Sequence, residues 1–384
     1  KGQEAIDATG KWVTPGLVDM HACLREPGFE YKEDLNSGGK AAVAGGFTTV
    51  VTMPNTNPPA DNAEQVRHVR ERSAEVGLCE FVPTGALTVG RAGENLAPLA
   101  EMQKAGAVAF TDGGHSVENA QLMRSALEYS TDFGITVLSH AEDRNLSLNG
   151  QINEGSVSTR LGLVGMPTIA EESIVARDSM LAEYAGAKLH FCHITTSGSV
   201  KLVADAQERG ASVTAEVGAH HLVLSVEDVA DYDTSAKLNP PLRTEADRLA
   251  LIEGVRSGVI GAITSDHAPQ TSLEKDLTFA RADFGAIGLQ TVVPAALQLI
   301  EAHDVDILTV IGCLTSGPAA ILGLSAGVLA QGGAADITII DPEELWEFTP
   351  ELNASKSCNS PFLGKQLKGR VVKTIAKGKV VFSV

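Results

Sequence analysis

The sequence predicts an α/β chain: a (β/α)8 TIM barrel with a small satellite β domain built from both chain ends. Three observations lead there. Short apolar runs of β character alternate with amphipathic helical stretches, the pattern of βα units and a parallel sheet. Eight such runs are present, the number that closes as a barrel. Histidines and carboxylates gather at the C-terminal ends of these runs, where barrel enzymes keep their catalytic groups.

In chain order the strands are read at residues 16–20, 48–53, 80–85, 107–111, 136–139, 188–193, 212–217 and 261–265. Between them, stretches 62–76, 119–133, 170–184, 199–207 and 246–256 repeat apolar positions every three or four residues, so they are expected to cover the outside of the barrel. The predicted barrel spans residues 15–328. From about residue 329 the character changes, and residues 332–341 and 369–382 read as strands of a small sheet. Residues 329–384 together with residues 1–14 make up the predicted satellite domain. The stretch 6–13 reads as a strand and turn with no earlier strand to pair with, and the chain opens on Lys1, so a preceding N-terminal piece is expected.

Of 384 residues, 43% are hydrophobic and 20% charged, as expected of a soluble enzyme with a large core. The formal charge of −18 argues against nucleic acid or an anionic membrane surface as a partner. It also means that an anionic substrate needs local arginines to overcome the field of the whole chain. No apolar run approaches the roughly 20 residues of a membrane span. The five cysteines (Cys23, Cys79, Cys192, Cys313, Cys358) are odd in number and scattered, which points to reduced thiols in a cytoplasmic protein.

The first strand runs into Asp19-Met20-His21-Ala22-Cys23-Leu24-Arg25-Glu26-Pro27-Gly28, and strand periodicity sends His21, Cys23 and Arg25 to one face. The second ends in Met53-Pro54-Asn55-Thr56, the fourth in Thr111-Asp112-Gly113 and the fifth in Ser139-His140-Ala141-Glu142. The sixth ends in Cys192-His193 and the eighth in Asp266-His267-Ala268-Pro269. Imidazoles and carboxylates converging on one rim suit Zn²⁺, which takes N and O ligands at about 2.0–2.2 Å. Two metals at one site need about five or six such groups.

These runs resemble the bacterial class of dihydroorotases, marked by Asp-x-His-x-His-x-Arg-x-Pro-Gly followed by Met-Pro-Asn-Thr. Phe110-Thr111-Asp112, His140-Ala141-Glu142, Lys237-Leu238-Asn239-Pro240-Pro241-Leu242-Arg243 and Gly288-Leu289-Gln290-Thr291 extend the match, in family order, over nearly the whole chain. Asp112 stands where the sister hydantoinases place a carboxylated lysine. The resemblance implies one or two Zn²⁺ ions, one held by His21, position 23 and Asp266, the other by His140 and His193, with Asp112 bridging. It implies that activated water attacks the ring amide of dihydroorotate, while Asp266 takes the proton and passes it to the leaving nitrogen. Arg25, Asn55 and Asn239 would grip the substrate carboxylate. The product is carbamoyl aspartate, the reverse closure is the step of pyrimidine synthesis, and a homo-oligomer is expected.

Two departures lie in this site. Cys23 stands where the second His of the motif belongs, and a thiolate there would bind zinc at about 2.3 Å while weakening its Lewis acidity. Gln270 replaces a histidine that contacts substrate, keeping hydrogen bonds but no charge. A smaller departure is Ala219 in place of the Pro often found before His220-His221. They leave a rival expectation: a catalytically silent subunit that partners aspartate transcarbamoylase. Retention of His21, Arg25, Asp112, His140, His193 and Asp266 favours the enzyme.

Elsewhere the bland reading is preferred. His68, His115, His190 and His303 carry no motif, and His220 and His221 either support the site or simply pack. His267 is expected behind the ligands. Cys79, Cys313 and Cys358 read as small packed residues, and Cys192 as facing away from the site. Gly45-Gly46 and Gly332-Gly333 lack phosphate-loop spacing and read as turns. The polar segment 271–283 is expected to be mobile and to close over substrate.

Overall fold

The computed structural model describes residues 5–384, apart from the Ala230 side chain; residues 1–4, part of the predicted satellite domain, lie outside the described residues. Its strands are β1 (Trp12–Pro15), β2 (Leu17–Ala22), β3 (Phe47–Thr52), β4 (Glu80–Pro83), β5 (Ala109–Phe110), β6 (Thr136–Ser139), β7 (Ile152–Asn153) and β8 (Gly165–Met166). Then come β9 (Leu189–Phe191), β10 (Val213–Gly218), β11 (Ala262–Thr264), β12 (Ile337–Glu347), β13 (Gln366–Ala376) and β14 (Lys379–Ser383). All eight predicted barrel strands are present, as β2–β6 and β9–β11, with ends within two residues of those read from the sequence.

Two parallel sheets, β2-β3-β4 and β11-β10-β9-β6-β5, form the wall. Parallel bridges Gly85↔Phe110 and Ala22↔His267 join them at both edges, so the eight strands close into a barrel. Asp19 locks the second seam. Fully buried, it accepts from Thr264 Oγ1 at 2.6 Å, from Ser265 N at 2.9 Å and from Ser265 Oγ at 2.5 Å, tying β2 to β11. Burial pushes the pKa of this carboxyl up, against those hydrogen bonds.

The strands are buried and largely apolar because helices cover the outside and side chains fill the inside. Along β3, Val51 joins Met20, Val82, Ala109, Leu138 and Ala262 in the barrel interior, while Val50 packs outward among the helices. The amphipathic stretches form helices Ala63–Val76, Ala120–Thr131, Ile169–Ala185, Ser197–Glu208 and Glu245–Ser257. Asn62, Asn119 and Thr244 start three of these by accepting from free N–H groups of the first turn. Helices Leu35–Ala44, Leu99–Ala105, Val292–His303, Ile307–Leu314 and Ser316–Leu322 were not predicted.

Both chain ends meet in an antiparallel sheet ordered β1-β12-β13-β14, with Trp12 opposite Ile340 and Pro15 opposite Ile337. The predicted strand 369–382 is split into β13 and β14 by a turn at Lys377 (φ 50°) and Gly378 (φ 77°). Thr338 Oγ1 donates to Gly46 O, and Thr374 Oγ1 to Val43 O, each at 2.6 Å, fastening the sheet to the barrel's base. Gly45-Gly46 is a turn there: Gly46 has φ 90°, and a Cβ on Gly45 would lie 2.0 Å from Leu289 O. No helix among the described residues is long and apolar enough to cross a membrane.

Candidate active site

The C-terminal rim of the barrel brings together residues far apart in sequence. His21 comes from β2, while His193 and Asp266 follow β9 and β11, and one donor atom from each lies within 4.8 Å of the others. His21 Nε2 is 4.0 Å from Asp266 Oδ1, and His140 Nδ1 is 3.2 Å from His193 Nε2. On its other side Asp266 has His220 Nε2, 3.5 Å from Oδ2. Arg25, His193 and Asp266 all hold positive φ (65°, 33° and 44°), a conformation side chains avoid and active sites tolerate.

The electrostatics favour a cation. Burial pushes the His193 imidazole down to about 3; Asp266 opposes this, while His21 and His140 reinforce it, so the ring is neutral and its lone pair is free. Burial alone would raise Asp266, but His220, His193 and His21 outweigh it and hold the carboxyl below its ordinary range. His193 Nδ1 and His220 Nε2 are buried without a hydrogen-bond partner among the described residues. The neutral His193 ring and the Asp266 carboxylate, dry and incompletely paired beside His21 Nε2, fit a Zn²⁺ ion.

The other predicted residues are placed less simply. The Asp112 carboxylate accepts from Thr88 N at 2.9 Å and Thr88 Oγ1 at 2.5 Å, and burial raises its pKa. Cys23 Sγ accepts from Asn55 Nδ2 at 3.0 Å. Asn239 Nδ2 donates to Glu142 Oε2 at 3.0 Å, and Glu142 also meets His140 Nε2 at 3.0 Å. Asn239 Oδ1 is buried and has no hydrogen-bond partner among the described residues. That atom suits a substrate N–H better than a substrate carboxylate. Arg25 Nε donates to Pro269 O at 3.2 Å with the side chain half-buried. Both ends of the Gln270 amide are engaged, Oε1 by Lys32 Nζ (2.6 Å) and Nε2 by Phe284 O (2.7 Å).

One expectation is corrected: Cys192 does not face away. Its sulfur lies within 4.8 Å of donor atoms of His21 and Glu216, and burial pushes the thiol up to about 11. The alternation that turned it outward applies only inside a strand, and β9 ends at Phe191. Sequence reasoning also missed Glu216, Glu142 and Arg91. Glu142 had a signal, lying two residues from His140. Arg91 had none, since it sits in an irregular turn with φ 57° and donates to Asp112 O at 2.8 Å and to Gly113 O. Burial lowers its pKa; nearby Cys23 and Asp112 oppose the shift, and Arg25 and Arg144 add to it. These three arginines supply the local positive field that the −18 chain requires.

A Dihydro-orotase-like family model matches residues 10–199, and an Amidohydrolase family model matches residues 205–382. A protein named Dihydroorotase from Syntrophotalea carbinolica is 48% identical over 379 residues, covering 99% of this chain and 89% of that protein. The chain belongs to the dihydroorotase family. Another member, Dihydroorotase from Pelotomaculum thermopropionicum, is 48% identical over 381 residues, with 99% and 89% covered. As a family member the chain is a cyclic amidohydrolase. Among solved structures it is similar to L-hydantoinase (dihydropyrimidinase) from Arthrobacter aurescens, with TM-score 0.87 and 24% identity over 98% of this chain and 87% of that one. Dihydropyrimidinase from Brevibacillus agri NCHU1002 gives TM-score 0.84 at 21% identity, covering 98% and 86%. These two likenesses support the barrel with its added β sheet.

Proposed function

We infer that the chain opens the cyclic amide of dihydroorotate to carbamoyl aspartate, and closes it in reverse, as a zinc-dependent enzyme of pyrimidine synthesis. The observation that carries this is the His21–His193–Asp266 group at the open end of the barrel. Zinc held there, with a second ion beside His140 where two are bound, would polarise the ring carbonyl and acidify water. Asp266, ionised at neutral pH, accepts the proton of the attacking water as oxygen bonds to the carbonyl carbon. It then delivers that proton to the ring nitrogen as the C–N bond breaks. Arg25 and the positive field of Arg91 receive the substrate carboxylate, and Asn239 Oδ1 accepts a ring N–H. Asp112, through Thr88, holds the loop that follows β5.

In this reading residues 15–328 form the catalytic barrel, with residues 1–14 and 329–384 as satellite. Five unpaired cysteines support a reducing, cytoplasmic setting. The rival, a silent partner of aspartate transcarbamoylase, is not favoured, because relatives at 48% identity over 99% of the chain bear an enzyme's name. The test is dihydroorotate turnover by zinc-loaded protein, with hydantoin and allantoin in parallel. Turnover abolished by chelation and restored by Zn²⁺ is expected. A folded, zinc-replete protein that leaves dihydroorotate intact, or prefers another ring, overturns the reading.

A further inference from the structure

His21 has two ring nitrogens, and only Nε2 faces the Asp266 side. Nδ1 points the other way and lies 2.8 Å from Glu216 Oε1. Glu216 comes from β10, is completely buried and has no part in the chemistry above. Its second oxygen, Oε2, is 3.3 Å from His190 Nε2, and His190 Nδ1 is 2.8 Å from Thr214 Oγ1. Thr214 and Glu216 are two residues apart on one strand and so share its inward face. A buried chain of polar groups, Thr214–His190–Glu216–His21, thus runs beneath the rim from β10 and β9 to β2.

A full charge at the centre of a barrel is costly unless it is paired. Glu216 meets an imidazole nitrogen on each oxygen, His21 Nδ1 at 2.8 Å from Oε1 and His190 Nε2 at 3.3 Å from Oε2. A carboxylate can only accept, so Nδ1 of His21 is the donor in this pair and Nε2 is the nitrogen turned toward Asp266. We propose that Glu216 is a positioning residue that fixes the tautomer and ring plane of His21 for cation binding, and is itself oriented by His190 and Thr214. This rests on the reading of His21, His193 and Asp266 as a zinc site.

Zinc affinity of the full chain, measured by competition with a chromogenic chelator, tests it, with the tautomer of His21 read by nitrogen-detected NMR on the metal-free protein. Glu216→Gln keeps shape and removes charge. It is expected to weaken zinc by about tenfold to a hundredfold, and to let His21 populate the Nδ1-unprotonated form. Thr214→Val, which acts at the far end and leaves the carboxylate in place, is expected to weaken zinc in the same direction but less, and covers the case in which Glu216→Gln does not fold. Unchanged affinity and tautomer in a folded Glu216→Gln, or unchanged affinity in Thr214→Val, overturns the proposal while the zinc site stands. The loss of one whole zinc ion from Glu216→Gln makes Glu216 a ligand and overturns positioning. Failure of the wild type to bind zinc removes the zinc-site reading beneath it.

Discussion

Cys23 Sγ accepts the Asn55 amide at 3.0 Å, so the thiol expected to bind metal is engaged by a residue expected to bind substrate. Its sulfur is absent from the donor groups that lie within 4.8 Å of one another among the described residues. Cys23→Ala is therefore predicted to keep its zinc through dialysis. Loss of the acceptor frees the half-buried Asn55 side chain, and kcat/KM for dihydroorotate should fall by up to about tenfold. Zinc content measured beside kinetics checks this: metal lost with the side chain would return Cys23 to the ligand set.

Asp266 is both a donor of the cation group and a carboxylate placed between His21 and His220. Asp266→Asn removes the proton acceptor while nearly preserving volume. We expect kcat to drop by about 10² to 10⁴, with circular dichroism unchanged. Turnover within tenfold of wild type, at equal zinc content, would move the proton transfer to another group.

Arg25 is predicted to act on KM. Its Nε is engaged by Pro269 O at 3.2 Å, which leaves the two terminal nitrogens of the guanidinium to meet a carboxylate. A lysine keeps the charge but loses the two-pronged geometry. Arg25→Lys should raise KM for dihydroorotate by about tenfold or more with little change in kcat. A fall in kcat alone would show that Arg25 does not hold the ground-state carboxylate.

The barrel was legible because its strands are short, largely apolar runs that end in polar motifs, as with Thr48–Met53 or the run into Asp266. What failed depended on geometry beyond the strand ends. Cys192 was turned the wrong way because β9 stops one residue before it. No spacing marks Thr88, 24 residues before Asp112, as the residue whose N–H and hydroxyl meet both oxygens of that carboxylate. The helix Leu35–Ala44 was missed because Gly38 and Gly39 lower its propensity. At Gly38 a Cβ would lie 2.6 Å from Leu24 Cδ2, so a larger residue there would have to displace the Leu24 side chain. Glu216 was passed over because one inward carboxylate in a strand carries no motif.

Glu33 gives a prediction about acid stability. It is fully buried and accepts from Ser37 Oγ and Ser355 Oγ, with His267 Nε2 3.4 Å away. His267 takes the Gly288 N–H on Nδ1 (3.2 Å), so Nε2 carries its proton and faces Glu33. Burial would raise the Glu33 pKa, but His267, Ser355 and Ser37 lower it below the usual value. A depressed carboxyl stabilises the fold above its unfolded pKa, and that contribution is lost as pH falls through the folded value. Glu33→Gln should therefore cost about 1–3 kcal/mol at pH 7 and less in acid, below about pH 4. Melting curves across that range decide it. An equal gap between variant and wild type at both ends would show that the carboxylate's charge is irrelevant.

The segment after β11 was expected to be mobile, and the structure shows it fastened by three lysines. Lys237 Nζ, buried, donates to Phe279 O at 2.7 Å and Ala282 O at 2.6 Å and lies 4.6 Å from the Phe284 ring centre. Lys275 Nζ donates to Asp283 O at 2.8 Å and Gly285 O at 3.0 Å, and Lys32 pairs with Glu274 at 2.7 Å. Each carbonyl left bare by removing an ammonium costs about 1–3 kcal/mol, so local opening of residues 278–285 should become much more frequent. Lys237→Met keeps the apolar stem and deletes the donor. It is predicted to speed proteolytic nicking within 276–285 by about tenfold or more, while zinc content is unchanged, because Lys237 touches none of the cation group. Nicking at the wild-type rate would mean that Lys275 and Lys32 suffice. Nicking slowed by dihydroorotate in the variant, but not in the wild type, would show that substrate fastens the same segment the lysine normally holds.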